Sequence, residues 1–243
     1  MENNKFNFSS IKKESFAVNN GYDRDTNPYR EDHVDCPKYM KFGADNQYPE
    51  YLISLYNQSS IHASCINSIV QAITGDGLVT ENEEILKRAN GEGESWNDIF
   101  RKVALDYKLF GGYALEIIYS RDRSRIAEIY HVDFSHVRAM EKDDRNKIPG
   151  FYISNEWKPV WNYNIEQDDK KLPQLPIFNL EKRADEPKQL LYHNPYRPGQ
   201  QYYPLTDYVG GSKVIDLDQE VDNFHISNIR NGLAPSLAIT TYT

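Results

Sequence analysis

The hydrophobic period of this chain changes at Gly111-Gly112, and that change limits what it can fold into. Upstream, apolar residues recur three and four apart, the spacing of one helix face. Downstream, in "YALEIIYS" and "RIAEIYHVD", they alternate, the spacing of a strand with one buried face. Helical patterning followed by two-residue patterning predicts an α+β domain, with helices packed on a mixed β-rich layer.

Three helices are predicted before the switch. Asn46 or Gln47 precedes Pro49, which suits a first helical turn, and Tyr51, Leu52, Leu55 and Tyr56 then recur at helical spacing. After Asn57-Gln58-Ser59, a second helix carries Cys65, Ile66, Ile69, Val70 and Ile73 on one face, stops at Gly75 and reverses at Gly77. The third begins with Ser95 and Asp98 in capping-box positions, buries Trp96, Ile99, Phe100, Val103, Tyr107 and Phe110, and ends at Gly111.

After the switch, the two alternating runs flank a charged turn, Arg121 to Ser124, and predict a hairpin. Further short strands are predicted at Val137 to Met140, Phe151 to Ser154, Val160 to Tyr163 and Gln189 to Tyr192, with Pro-rich or charged loops between them. A last helix runs from Thr206 or Asp207 to Arg230, with Val214, Leu217, Val221, Phe224 and Ile229 on its apolar side. Asn231-Gly232 stops it, and a β-type run from Leu237 to Tyr242 follows Pro235. Residues 1–45 are polar and Asn-rich and read as an N-terminal arm, leaving 46–243 as the folded domain.

The totals exclude some functions. A chain of 243 residues can bury a substantial core. Its net charge of -8 argues against a basic clamp on DNA phosphates, whose affinity comes from Lys and Arg displacing counterions. Aromatic residues make up 13%, led by 18 Tyr, and suit sheets and interfaces. The two cysteines, Cys36 and Cys65, are too few for a disulfide framework and point to a reduced, intracellular setting, with Cys65 expected as a small hydrophobe in its helix stripe. No apolar run reaches the ~20 residues that cross a bilayer, and the N-terminus lacks a signal peptide's apolar core, so a soluble protein without membrane partners is expected.

Few residues suggest chemistry. His131, Asp133 and His136 form an acceptable metal-ligand set, yet no Cys or third carboxylate completes it, and a strand ending in polar residues explains them as well. Glu116 with Asp106, Asp133 or Glu128 could supply the two carboxylates of an acidic glycan-processing enzyme, while alternation places Glu116 on a solvent face at no cost. Phosphate loop, nucleophile elbow and dinucleotide fingerprint are all missing, so no enzyme activity, catalytic residue, metal or cofactor is expected. His62 shares a face with Ile66 and reads as a packed histidine. The remaining candidate is the acidic set Asp216, Asp218, Glu220 and Asp222 on the last helix, which reads either as a solvated face or as a field that repels phosphate.

The order of these elements is similar to that of the N-terminal half of tailed-bacteriophage portal proteins. Asn46, Tyr48 and Pro49 resemble that family's Asn-x-x-Pro start of its first helix, and Gly75-Asp76-Gly77-Leu78 its following Gly-x-Gly turn. Gly111, Gly112, Tyr113 and Glu116 resemble its helix-to-strand step, His131, Val132 and Asp133 the end of a wing-domain hairpin, and Asn231, Gly232 and Pro235 its Asn-Gly-x-x-Pro stop. The loop between about Asn155 and Lys188 is longer than the family usually carries.

The resemblance implies a wing-like domain that ends before a stem helix, so that stem, clip and crown lie outside this chain. It implies a dodecameric homo-oligomer at one capsid vertex of the virion, assembled in the host cytoplasm. Double-stranded DNA would pass through the ring without sequence specificity. The major capsid protein, the terminase packaging motor and tail or head-completion adaptors would dock on it. Under that resemblance Asp216, Asp218, Glu220 and Asp222 would line the DNA path or a subunit contact. A non-portal virion adaptor is the other structural reading.

Overall fold

A computed structural model of the protein describes residues 39–157 and 172–231. Most of the expected arm, Cys36, the strand expected at Val160 to Tyr163 and the run after Pro235 lie outside these residues. The fold is α+β, as the change of period predicts. Helices α1 (Tyr48–Gln58), α2 (Ser60–Thr74), α3 (Glu83–Leu86) and α4 (Trp96–Phe110) come first, and α5 (Ser212–Arg230) closes the described chain. The β-rich layer divides into two antiparallel sheets. One has the order β2 (Ile126–Val132), β1 (Tyr113–Tyr119), β6 (Lys188–His193), and the other β3 (Val137–Ala139), β4 (Gly150–Ile153), β5 (Gln174–Pro176). A single parallel bridge, Ile177 to Leu190, joins them.

Local chemistry explains the best-defined helix, α4. The Ser95 hydroxyl accepts the Asp98 N–H at 3.1 Å and the Asp98 carboxylate accepts the Ser95 N–H at 2.9 Å, so both orphan donors of the first turn are satisfied. At its far end Gly111 has φ +87°, and a Cβ there would lie 2.5 Å from the Leu205 carbonyl oxygen. Only glycine takes both the left-handed backbone and the close approach. Ile99, Ala104, Leu109 and Phe110 are the buried apolar residues of α4, whereas Tyr107, placed in the stripe by spacing, is exposed.

The core extends further toward the N-terminus than polarity suggested. Tyr39, Met40 and Phe42, inside the expected arm, are buried, and Tyr39 bridges to Met140. Phe42 stacks on Tyr203 with ring centroids 4.1 Å apart, and the Tyr203 hydroxyl donates to the Met40 carbonyl while accepting the Ala139 N–H at 2.9 Å. Beside them Arg138 is fully buried. Its guanidinium donates to the Asn46 side chain at 2.6 Å, the Asn46 carbonyl at 2.9 Å and the Ser135 carbonyl at 2.7 Å, and its charge sits 3.8 Å from Glu50. Burial disfavours its charged form, and these acceptors together with Glu50 oppose that cost. The segment before α1 is thereby tied to the second sheet.

Two helices differ from their predicted faces. In α2 the buried residues are His62, Ile66 and Val70, while Cys65, Ile69 and Ile73 face outward. The apolar arc of α2 is wider than the surface that α4 and Tyr208 cover, so only the row nearest that contact is buried. In α5 the difference is larger: Val214, Leu217, Val221, Phe224 and Ile229 are all exposed. The helix also starts later than predicted. The Arg197 guanidinium takes the Leu205 and Thr206 carbonyls at 3.1 and 2.5 Å, and a 3₁₀ turn at Val209–Gly211 intervenes before Ser212.

Candidate functional site

Asp216, Asp218, Glu220 and Asp222 lie along α5, but tertiary contacts divide them. The first two turns of α5 pack on α1 near its junction with α2. There the Tyr51 hydroxyl donates to Asp216 at 2.7 Å, the Ser59 hydroxyl donates to Asp218 at 3.0 Å, and the Gln219 amide reaches the Leu55 carbonyl at 3.4 Å. Burial, with the Asp216 carboxylate next to it, pushes the Tyr51 hydroxyl well above the usual phenol range, which keeps it a donor. Ser59 also caps α2, accepting the His62 N–H at 3.2 Å, so the Asp218 carboxylate sits at the positive end of the α2 dipole. Both acids therefore serve as anchors, half-buried between helices.

Glu220 and Asp222 are exposed. From Glu220 to Arg230 every residue of α5 is exposed except the half-buried Asn228. The four acids thus split along the helix axis, an anchored pair followed by a pair on a projecting segment. The carboxylates that spacing paired across one turn do not share an environment. Ile215 is the apolar residue of α5 that packs against the main core, and it lies between the positions that periodicity selected.

The other candidates are each held separately. His131 pairs with the buried Asp106 at 2.8 Å, and Asp106 also accepts the Phe134 N–H at 3.2 Å. Burial raises the Asp106 carboxyl above its ordinary value while the His131 bond opposes that shift. Asp133 instead caps the 3₁₀ turn Phe134–His136, accepting the Ser135 N–H at 2.9 Å, and the His136 carbonyl accepts the Trp157 indole at 2.9 Å. Among the described residues no three His, Cys, Asp or Glu side chains are grouped to hold a metal ion. Glu116 faces Lys188 at 3.4 Å, and Glu128 accepts from Tyr130 at 3.0 Å. His62 packs edge-on to Tyr208 at 4.6 Å, and burial lowers its affinity for a proton. No helix among the described residues is long and apolar enough to cross a membrane.

Sequence reasoning missed Arg138 and Tyr203. Arg138 sits in the short alternating run "HVRAM", where alternation alone gives no sign that a charged residue points inward. Its partner Asn46 carries the available signal: an asparagine just ahead of Pro49, a residue type that tolerates the left-handed backbone found there, φ +67°.

No protein-family profile and no curated protein sequence matches this chain. Solved structures do. A chain in the virion of a native gene transfer agent (GTA) particle is 11% identical with a TM-score of 0.54, over 78% of this chain and 46% of that one. A chain from the neck of an empty GTA particle, computed with C6 symmetry, is 11% identical with a TM-score of 0.56, over 79% and 48%. A chain from the neck of a native GTA particle, computed with C12 symmetry, is 12% identical with a TM-score of 0.56, over 79% and 47%. At such identity the likeness is one of fold. This chain spans less than half the length of each of those chains.

Proposed function

We propose that this chain is a structural protein of a phage-like virion, and within that class a ring-forming portal protein. In this role the ring is a conduit for genome packaging and ejection at the capsid vertex and a docking platform for motor and tail. The observation that carries the reading is the fold shared over about four-fifths of this chain with chains of GTA particle virions and necks. The portal-like sequence motifs from Asn46 to Pro235, which stand in the family's order, support it independently. The partners that follow are further copies of the chain, the major capsid protein, the terminase motor and the tail or head-completion adaptors.

Glu220 and Asp222 carry the site proposal. Carboxylates on a projecting helix repel phosphate and let DNA slide, where a basic lining would hold it by counterion release. Asp216 and Asp218 serve by fixing that helix in place. Native mass spectrometry of the full chain tests the reading. A closed ring, twelvefold under the portal reading, is the expected result; a monomer at micromolar concentration across low and high salt would overturn it.

A further inference from the structure

Val214, Leu217, Val221 and Phe224 are 69%, 62%, 45% and 63% exposed, and they follow one another three, four and three residues apart. That is the spacing of a seam between paired helices. A helical segment as short and as exposed as Val221–Arg230 is marginal in water on its own. A second exposed row lies on α2. Ile61, Cys65, Ile69 and Ile73 recur at every fourth position, beside the small residues Ser60, Ser64, Ser68 and Ala72. Among the described α-helices α2 alone has no charged residue.

We propose that the α5 seam of one copy docks on the outer row of α2 of the next copy. This rests on the ring reading and adds the surfaces that join its subunits. Two observations select this occupant. Lys213, Asp218 and Glu220 flank the α5 seam, and α2 carries no charged side chain that would oppose any of them. A head-to-tail contact also needs two different complementary patches on every chain. The α5 seam and the α2 row are the two continuous apolar helix rows that the described residues expose. The small side chains along α2 allow the close helix approach that such a seam requires.

Cys65 lies within the α2 row and serves as a reporter. In a Cys36→Ser background, Phe224→Cys and, separately, Asn228→Cys are introduced, the second leaving all four seam residues intact. Native mass spectrometry first establishes whether the full chain assembles; oxidation and a non-reducing denaturing gel follow. A ring that yields covalent oligomers, lost when Cys65→Ser is added, is the expected result. A ring without covalent oligomers in either variant overturns the α5–α2 contact and leaves the ring reading standing. Oligomers that persist with Cys65→Ser mean that α5 meets α5, which also overturns it. A wild-type chain that stays monomeric defeats both readings. Leu217→Glu adds an independent arm: it should raise the half-assembly concentration by about tenfold or more, and an unchanged value counts against the seam.

Discussion

Helices α4 and α5 look alike in sequence and end in opposite environments. Both carry apolar residues at helical spacing and charges on the remaining faces. In α4 the apolar residues lie beneath the hairpin on one side and α2 on the other, and both helix ends are capped. In α5 all the apolar residues but Ile215 face outward, the side toward the body is mostly polar, and Gly211 at the N-cap supplies no side-chain bond. An amphipathic pattern therefore states that a face will be covered. Whether the cover comes from the same chain is decided by what else that chain can bring to the face.

The largest test of this contrast compares two phenylalanines. Phe110→Ala in α4 should cost about 3–5 kcal/mol of unfolding free energy, while Phe224→Ala in α5 should change the dissociated chain by less than about 0.5 kcal/mol. Urea denaturation of both variants measures this, and equal costs would break the contrast. Next in size is Arg138→Leu, which leaves buried acceptors at Asn46 and Ser135 without their donor and should cost about 2–4 kcal/mol in the same assay.

Asp216→Ala removes the corresponding polar tie of α5 and should cost about 1 kcal/mol, because the bond from Tyr51 is only partly buried. Amide hydrogen exchange should speed up in the first turns of α5 and stay unchanged in α4. Acceleration in both helices would mean that they form one cooperative unit, against the contrast.

The smallest expected effect concerns the hairpin tip. Hydroxyls of Ser120 and Ser124 hold the Asp122 carboxyl down at about 2, below its ordinary value of 3.8. An acid whose folded value is depressed stabilises the fold above its unfolded value and loses that contribution as pH falls toward the folded one. Protection of the hairpin amides should therefore weaken between about pH 4 and pH 2, and Asp122→Asn should remove that dependence. Exchange in α5 should ignore the substitution.

Much of the fold was legible because local rules governed it. The Ser95–Asp98 cap, the Gly111 stop, the hairpin around Arg121–Ser124 and strands β3, β4 and β6 all stand within a residue or so of their predicted places. Strand β5 at Gln174–Pro176 escaped notice, since so short a run with a proline carries no alternation to read. The acids of α5 were legible as a cluster and illegible as a site. Only the position of Tyr51 and Ser59 on neighbouring helices separates Asp216 and Asp218 from Glu220 and Asp222.

The sequence by itself determined where backbone hydrogen bonding changes type, because period, caps and turn residues act within a few positions of one another. It also determined that the second helix and the last would each present an apolar row. Tertiary structure alone decided which rows are buried, because burial depends on surfaces brought together from distant positions. Tyr39–Phe42 joined the core because Arg138 and Tyr203 met them there. The apolar row of α5 stayed outside because the opposite side of the helix faces inward, with Asp216 and Asp218 on hydroxyls of α1 and of the start of α2 and Ile215 on the core.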